Sequence, residues 1–360
     1  MFGQRLRLAR KKAGLSMQAL ADRVSPKVSA QAISKYETDK MMPSSAVLVG
    51  LGKALGVSLD FLMGGRVEAL SGIEFRKHSG TSARDRAQAE VIVTERLEDY
   101  LAVEAILELN PPDDPFGGLV CDDVECFEAI DAIAGKLRQQ WQLGIDPIPS
   151  MVALLEGKGI KVIEADLPER FDGLACDVQR RDNKPDTEVV VVSSRTNIER
   201  KRFNLAHELA HRVIRATGNP DIGLEKAMNR FAGALLVPTE HLINEVGAHR
   251  HGMTYHEIMR LKRLYGVSAA AMLMRLGQVG ILAQTMIQYA FRSYARTWRS
   301  EEPEPIRDAE GFGAFERPQR FQRLVWRALG EALISPVRAA QFLQLPLSEV
   351  EREIRGPCNQ

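Results

Sequence analysis

Cysteine and histidine are scarce in this chain, which has four Cys and seven His among 360 residues. Cys121, Cys126, Cys176 and Cys358 form no C-x-x-C pair, so we expect free thiols and neither a disulfide framework nor a cysteine-ligated metal site. No run of about 18 apolar residues occurs, and residues 1–30 lack an apolar signal region. The sequence therefore predicts a cytoplasmic protein without a transmembrane segment. The sequence also contains no internal repeat, no low-complexity tract and no Gly-rich phosphate loop.

Positive charge is concentrated at the N-terminus. Residues 1–65 contain ten basic and four acidic side chains, a net charge of +6, although the whole chain is only +1. Serine caps and glycine breaks divide this segment into five short helices with a tight turn between the second and third. They are expected at Gln4–Ala13, Met17–Val24, Ala30–Glu37, Ser45–Leu55 and Ser58–Met63. Short helices in this order, with a basic surface, predict a helix-turn-helix domain that binds duplex DNA.

The third of these helices is the expected recognition helix. Its first turn, capped by Ser29, should enter the major groove, where Gln31 can pair with adenine and Lys35 can reach guanine or a phosphate. The residues expected to face bases or the adjacent backbone are Ala30, Gln31, Ser34 and Lys35, and those expected to contact phosphates are Arg5, Arg7, Lys12 and Lys27. One such domain reads half an operator, so we expect a homodimer, with its interface in the connector or the C-terminal tail.

A second pattern lies in the middle of the chain, at residues 203–213. His207 and His211 are four residues apart in a stretch without Pro or Gly, so a helix would place both imidazoles on one face. Two such imidazoles can hold two corners of a Zn²⁺ site, and Glu208 could activate a water at the zinc without being a ligand. The spacing is the His-Glu-x-x-His pattern of zinc peptidases.

A third ligand is expected on the next helix. Glu225 and Asn229 are also four residues apart, and they suit a ligand carboxylate with a neighbouring amide that orients a histidine. The alternative is that the histidines form a surface pair and that Glu225 is a solvated charge. The residue that stabilises the oxyanion stays open among five residues downstream, each of which can equally be structural: His241, His249, His251, Tyr255 and His256.

Short strands are expected before the zinc helix. Residues 160–167 alternate apolar with polar side chains, residues 187–193 are rich in β-branched side chains, and residues 171–176 are a third possibility. A small sheet can bind an extended polypeptide at its edge, although these strands can equally be scaffold alone.

Two families are similar to this sequence. Residues 6–62 resemble the Cro/repressor-type (XRE) helix-turn-helix family in Gly14–Ala21 and Val28–Glu37. Residues from about 150 to 290 resemble the ImmA/IrrE (DUF955) metallopeptidases in Arg202-Phe203 with Leu205–His211, in Glu225 with Asn229–Ala232, and in Leu235–Pro238. Tyr265–Ser268, followed by Arg275-Leu276, is similar to that family's segment after the peptidase core. That resemblance implies a zinc site of His207, His211 and Glu225 with Glu208 catalytic, and a repressor as the protein substrate. Met17, where the first family often has Gln, and Ala227-Met228, where the second often has an acid and Ala, depart from the family patterns.

The predicted fold class is mostly α with a small β-sheet. We expect a five-helix XRE domain at residues 1–66, a helical connector at 67–148 and an α+β, zincin-like peptidase domain at 149–293. A linker and a helical tail should follow at 294–360, with the linker at 301–320 and tail helices at 321–334 and 335–354. Two functions remain open. The chain is either a DNA-binding regulator fused to a gluzincin-like zinc endopeptidase or a regulator whose peptidase fold serves sensing or assembly with little or no proteolysis.

Overall fold

The computed structural model describes residues 2–71, 82–110, 114–168, 173–180, 187–219, 221–307 and 316–356. Helices predominate, beside a small sheet, which confirms the predicted fold class. The helices are α1 (Phe2–Lys12), α2 (Met17–Arg23), α3 (Ala30–Glu37), α4 (Ser45–Leu55), α5 (Leu59–Met63), α6 (Ala83–Ile106), α7 (Phe127–Gln140), α8 (Met151–Gly157), α9 (Ile198–Val213), α10 (Leu224–Leu236), α11 (Thr239–Val246), α12 (Tyr255–Tyr265), α13 (Ala269–Gln278), α14 (Gln284–Arg292), α15 (Arg320–Gly330), α16 (Pro336–Leu343) and α17 (Leu347–Arg355). The strands are β1 (Val67–Ser71), β2 (Lys161–Ala165), β3 (Gly173–Arg180) and β4 (Thr187–Ser193). In the described parts of the chain, no helix is both long and apolar enough to cross a membrane.

The chain divides into two compact units. The first contains Met1–Pro111, Ala165–Val191 and Pro318–Gln360, and the second contains Pro112–Glu164 and Val192–Arg317. The N-terminal helices and the C-terminal tail are therefore in the first unit, whereas α7–α14 are in the second.

The five N-terminal helices form as the sequence predicts. The side chains of Ser16 and Ser29 accept hydrogen bonds from the backbone amides of Ala19 and Ala32 and so cap α2 and α3. Their shared core includes the fully buried Leu6, Leu20, Ile33, Leu51 and Phe61. In α4, a Cβ on Gly50 would lie 2.2 Å from the carbonyl oxygen of Ser25, so the close approach of α4 to the turn after α2 requires glycine.

Strand β1 was not predicted. It pairs antiparallel with β3, with Val67 opposite Arg180 and Leu70 opposite Val178, and β3 is in turn bonded to β4. β3 confirms part of the strand expected at 171–176, whose first two residues lie outside the described residues. Because the partner of β1 lies about a hundred residues further along the chain, a local pattern could not reveal the pairing.

The predicted connector at 67–148 is wrong as a spacer. Helix α6 packs against α1 and against α15 within the first unit, and Arg5 on α1 forms a buried ion pair with Glu98 on α6 at 2.6 Å. Helix α7 packs against α10 within the second unit. The segment is therefore part of both cores, since each of its helices buries an apolar face that needs a partner.

The C-terminal tail is also organised differently from the prediction. The single helix expected at 335–354 is interrupted at Gln344, which adopts a left-handed conformation (φ 55°), and α17 begins after Pro346. Phe342 and Val350 from the two resulting helices share a core with Tyr100 and Val103 of α6. The tail is thus part of the first unit.

The predicted linker at 301–320 is contradicted where it is described. Glu302 accepts a hydrogen bond from the backbone amide of Ala269 at 2.9 Å, and Glu316 is only 1% exposed. Residues 308–315 lie outside the described residues. Proline and charge suggested a solvated segment here, but these carboxylates are buried because cations of the second unit pair with them.

Candidate metal centre

Helix α9 carries the His-Glu-x-x-His pattern. Asn197 caps its first turn by accepting a hydrogen bond from the backbone amide of Arg200. Leu205, Leu209 and Val213 repeat every four residues and are buried. This buried stripe determines the rotation of the helix and leaves His207 and His211 half-buried on an adjacent face.

The third predicted ligand comes to the same place. Helix α10 packs against α9 through its own buried face, and Glu225 lies in its first turn. The Nε2 atoms of His207 and His211 are 3.3 Å apart, and Glu225 Oε2 is 3.5 Å from His207 Nε2. In the described parts of the chain, these three residues are the one group of three or more His, Cys, Asp or Glu whose ligand atoms all lie within 4.8 Å of one another.

These residues fit a zinc ion in both geometry and chemistry. Four ligands at about 2.0–2.1 Å in a tetrahedron are separated from one another by about 3.3–3.4 Å, close to the distances found here. Two imidazoles and one carboxylate are a typical ligand set for catalytic zinc, which keeps its fourth position for water or substrate.

Two further predicted residues flank the ligands. Asn229 Oδ1 lies 3.1 Å from His207 Nδ1, so it can accept a hydrogen bond from that nitrogen and leave Nε2 to face a metal. Glu208 follows His207 on α9 and is half-buried. Glu208 is adjacent in sequence to His207, but it does not belong to the group formed by His207, His211 and Glu225.

Buried ion pairs hold α9 in place, and sequence patterns did not reveal them. Arg202 and Glu316 are both fully buried and form a salt bridge, and Glu316 also accepts hydrogen bonds from the backbone amides of Met151 and Val152 at the start of α8. Lys262 is buried against Glu199 on α9, and Glu302 lies 3.1 Å from its Nζ atom. Burial raises the pKa of Glu302, although Lys262 and the Ala269 amide oppose that shift.

A second charged cluster holds α10. Asp131 on α7 accepts two hydrogen bonds from Arg230 on α10, each of 2.8 Å, and two more from Arg275 on α13. The single carboxylate therefore joins three helices. Nothing in the local sequence pairs an aspartate at 131 with arginines about 100 and 144 positions later, so only the structure identifies this cluster.

The five residues considered for oxyanion stabilisation are placed as follows. His241 Nδ1 is 2.7 Å from the hydroxyl of Tyr265, so this imidazole has a structural hydrogen-bond partner. Tyr255 packs edge-on against Trp298, with ring centroids 6.0 Å apart. His249, His251 and His256 are exposed. None of the five belongs to the group formed by the three ligands.

The predicted DNA-contacting residues separate into two sets. On α3, Gln31 and Lys35 are exposed, and Ala30 and Ser34 are half-buried. Lys27, which precedes α3, is exposed. Arg7 is exposed, and Lys12 is half-buried with its Nζ 3.5 Å from the carbonyl oxygen of Gly56. These seven positions are compatible with contacts to DNA.

Arg5 is a correction. Its guanidinium is buried, donates hydrogen bonds to the carbonyl oxygens of Phe61 and Val67, and pairs with Glu98. A phosphate contact would require these bonds to break, so Arg5 stabilises the packing of α1 on α6 instead. An amphipathic helix pattern gives the spacing of basic residues, but it does not show which of them a later helix will cover.

Comparison with known proteins agrees with both parts of this description. Residues 155–277 match the peptidase M78 family model, described as an IrrE N-terminal-like domain, and residues 6–62 match a helix-turn-helix family model. Over 65 residues the chain is 42% identical to a protein of Bacillus subtilis (strain 168) described as an SPbeta prophage-derived uncharacterized HTH-type transcriptional regulator, YonR. The match covers 18% of this chain and 58% of that relative.

The chain thus combines an XRE-type helix-turn-helix domain with a domain of the ImmA/IrrE metallopeptidase family. This class was predicted from the sequence motifs and is confirmed by the comparisons.

Proposed function

We propose that the second unit is a zinc-dependent endopeptidase and that its substrate is a repressor-type protein. The observation that carries this proposal is the convergence of His207, His211 and Glu225 from two helices. When bound, Zn²⁺ would supply a Lewis acid that polarises the scissile carbonyl.

The residues of the chain supply the remaining chemistry. His207, His211 and Glu225 would hold the ion, and Asn229 would orient the imidazole of His207. Glu208 takes a proton from the attacking water on its carboxylate and passes it to the leaving amine. The buried pairs Arg202–Glu316 and Lys262–Glu199 keep α9 in the orientation that this geometry requires.

Glu208→Gln tests the mechanism. The full-length variant should retain its fold and about one zinc per chain, because Glu208 is not a ligand. Its cleavage rate should be about 10²–10⁴-fold lower than that of the parent, as expected when a general base is removed. The substrate for the assay is a purified XRE-type repressor, the class of substrate proposed here, and Glu128→Gln, an exposed position on α7, is the matched control.

Equal cleavage by the Glu208→Gln variant and the parent would refute the assigned role. No cleavage by the parent, together with unchanged gene regulation by Glu208→Gln in cells, would instead support the second candidate. In that candidate the peptidase fold is a sensing or assembly domain. The helix-turn-helix domain and the description of the relative as a transcriptional regulator favour it.

We also propose that the first unit binds duplex DNA as a transcription regulator, through α3 and as a homodimer. Gln31→Ala should weaken binding to the operator by about 1–3 kcal/mol and relax the sequence specificity at one base pair. Lys27→Ala should weaken binding to all sequences alike. Mobility shifts with the chain's own promoter fragment and with random duplex measure both effects. Equal affinity for the two duplexes at physiological salt would reduce this domain to a protein-recognition module.

A further inference from the structure

A long stretch of the second unit contains no acidic residue. Residues 258–300 include seven basic residues and no Asp or Glu, although Asp and Glu account for 47 of the 360 residues of the chain. The seven are Arg260, Lys262, Arg263, Arg275, Arg292, Arg296 and Arg299. This stretch begins in α12 and extends past α14, beyond the residues that match the IrrE N-terminal-like family model.

Carboxylates from elsewhere in the unit neutralise the first four of these cations. Arg260 pairs with Glu245, and Lys262 pairs with Glu199 and Glu302. Arg263 pairs with Glu304, and Arg275 pairs with Asp131. Arg292, Arg296 and Arg299 are exposed and form no ion pair with any residue that the structure describes. The guanidinium of Arg299 lies 4.6 Å from the ring centroid of Phe291, which holds it at the surface. The stretch thus ends in three arginines whose charge is not balanced within the described protein.

An apolar groove of about 300 Å³ lies among the same elements. Its walls include Met253, Leu273 and Met286, and Tyr289 and Tyr294 line it as well. These tyrosines are 69% and 51% exposed, which is unusual for large aromatic side chains. Arg292 lies between the two tyrosines in the sequence, and Arg296 lies two residues beyond Tyr294.

This combination is typical of a protein-recognition surface. Tyrosine and arginine are the residues that most often contribute binding energy at interfaces, where tyrosine combines apolar contact with a hydroxyl group. The unbalanced arginines favour an anionic partner, and the apolar groove favours a large apolar side chain. Duplex DNA offers phosphates but no side chain to fill a groove of this kind, so a polypeptide fits the surface better.

We propose that this surface, formed by the groove and by Arg292, Arg296 and Arg299, binds an acidic peptide segment that carries an apolar anchor residue. The anchor occupies the groove between Tyr289 and Tyr294, and carboxylates on either side of it pair with the arginines. The surface lies in different residues from the metal centre. Its binding is independent of cleavage, so the failure of either proposal would leave the other intact.

The test is a selection of random dodecapeptides displayed on phage against the immobilised full-length chain. The parent should enrich peptides in which an aliphatic or aromatic residue is flanked by Asp or Glu. A labelled peptide from that consensus should bind about tenfold more weakly, by fluorescence anisotropy, to Arg292→Glu/Arg296→Glu and to Tyr289→Ala. Lys136→Glu, which reverses an exposed charge on α7, should bind within about twofold of the parent.

Two outcomes would overturn the proposal. One is that the peptides selected by the parent share no acidic consensus with an apolar residue, or that Arg292→Glu/Arg296→Glu selects the same consensus as the parent. The other is a loss of duplex affinity in Arg292→Glu/Arg296→Glu without any loss of peptide binding, which would make the surface a nucleic-acid contact. All the substituted side chains are exposed, so thermal melting should show that each variant is folded as the parent is.

Discussion

At the scale of single residues, the side-chain amide of Asn229 lies beside the imidazole of His207, the first of the proposed metal ligands. The ring nitrogen Nδ1 lies 3.1 Å from Asn229 Oδ1, so this contact selects the tautomer and the orientation of the imidazole. Asn229→Ala should therefore weaken zinc affinity by about 10–100-fold without unfolding the chain. Competition with a chromophoric chelator measures the change, and Asn244→Ala, at an exposed position on α11, is the control. Unchanged zinc affinity would leave Asn229 without its orienting role.

The buried pair of Arg202 and Glu316 has a different kind of importance. Glu316→Ala leaves a fully buried guanidinium without its counter-charge and removes the acceptor for two amides of α8. The free energy of unfolding should fall by about 3–5 kcal/mol, measured by urea denaturation. Glu245→Gln breaks an ion pair whose side chains are 55% and 30% exposed and should cost only about 0–1 kcal/mol. Similar losses for the two variants would contradict the assignment of Glu316 as an anchor of α9.

At the scale of elements, helix α6 has a half-buried acid where it meets the tail. Burial raises the pKa of Asp99 from 3.8 to about 6, and the positive charges of Arg96 and Arg338 oppose that shift only in part. An acid whose pKa is raised by folding costs no stability below pH 3.8, and its cost grows as the pH rises towards 6 and is complete above it.

Asp99→Asn should consequently stabilise the first unit at pH 7.5 and have little effect at pH 3.5. Urea denaturation at the two pH values measures this difference, and Glu68→Gln, at an exposed position, should show no comparable pH dependence. A stabilisation of equal size at both pH values would mean that packing, and not the charge of Asp99, is responsible.

Most elements could be predicted because their signals are local. Serine caps and glycine breaks place the ends of α2, α3 and α4, and a four-residue apolar repeat places α9. The division of the tail into α16 and α17 was missed because Gln344 takes a left-handed conformation that is more usual for glycine. Strand β1 was missed because its stability depends on β3, which is distant in the sequence.

At the scale of the whole molecule, the N-terminal helices and the C-terminal tail belong to one unit. Phe342 of α16 is 1% exposed and shares its core with Tyr100 and Val103 of α6. Phe342→Ala should cost about 3–5 kcal/mol and should lower the melting temperature of the unit that contains α1–α6. Calorimetry and DNA binding as a function of temperature measure the effect.

The control for this prediction is Ile354→Ala. That side chain is 52% exposed on α17, so its loss should change stability by less than about 0.5 kcal/mol. If Phe342→Ala behaved in the same way, the tail would be an appendage that the first unit does not need. That outcome would restore the linker-and-tail organisation expected from the sequence.

The sequence alone determined the two domain classes and predicted which three residues come together as candidate metal ligands. His207, His211 and Glu225 could be identified because each pair of positions depends on the period of a single helix, which is a local property. The helix-turn-helix was recognisable for the same reason, since caps, turns and charge are written in adjacent residues.

Only the tertiary structure decided which charges are available. Arg5 was expected at the surface but is buried, Glu302 and Glu316 were expected in a linker but are buried under cations, and Arg292 and Arg296 have no carboxylate partner among the described residues. Whether a charged side chain is paired depends on elements that are far away in the sequence. When such elements pack together, an opposite charge replaces the water around that side chain. No local pattern contains that information.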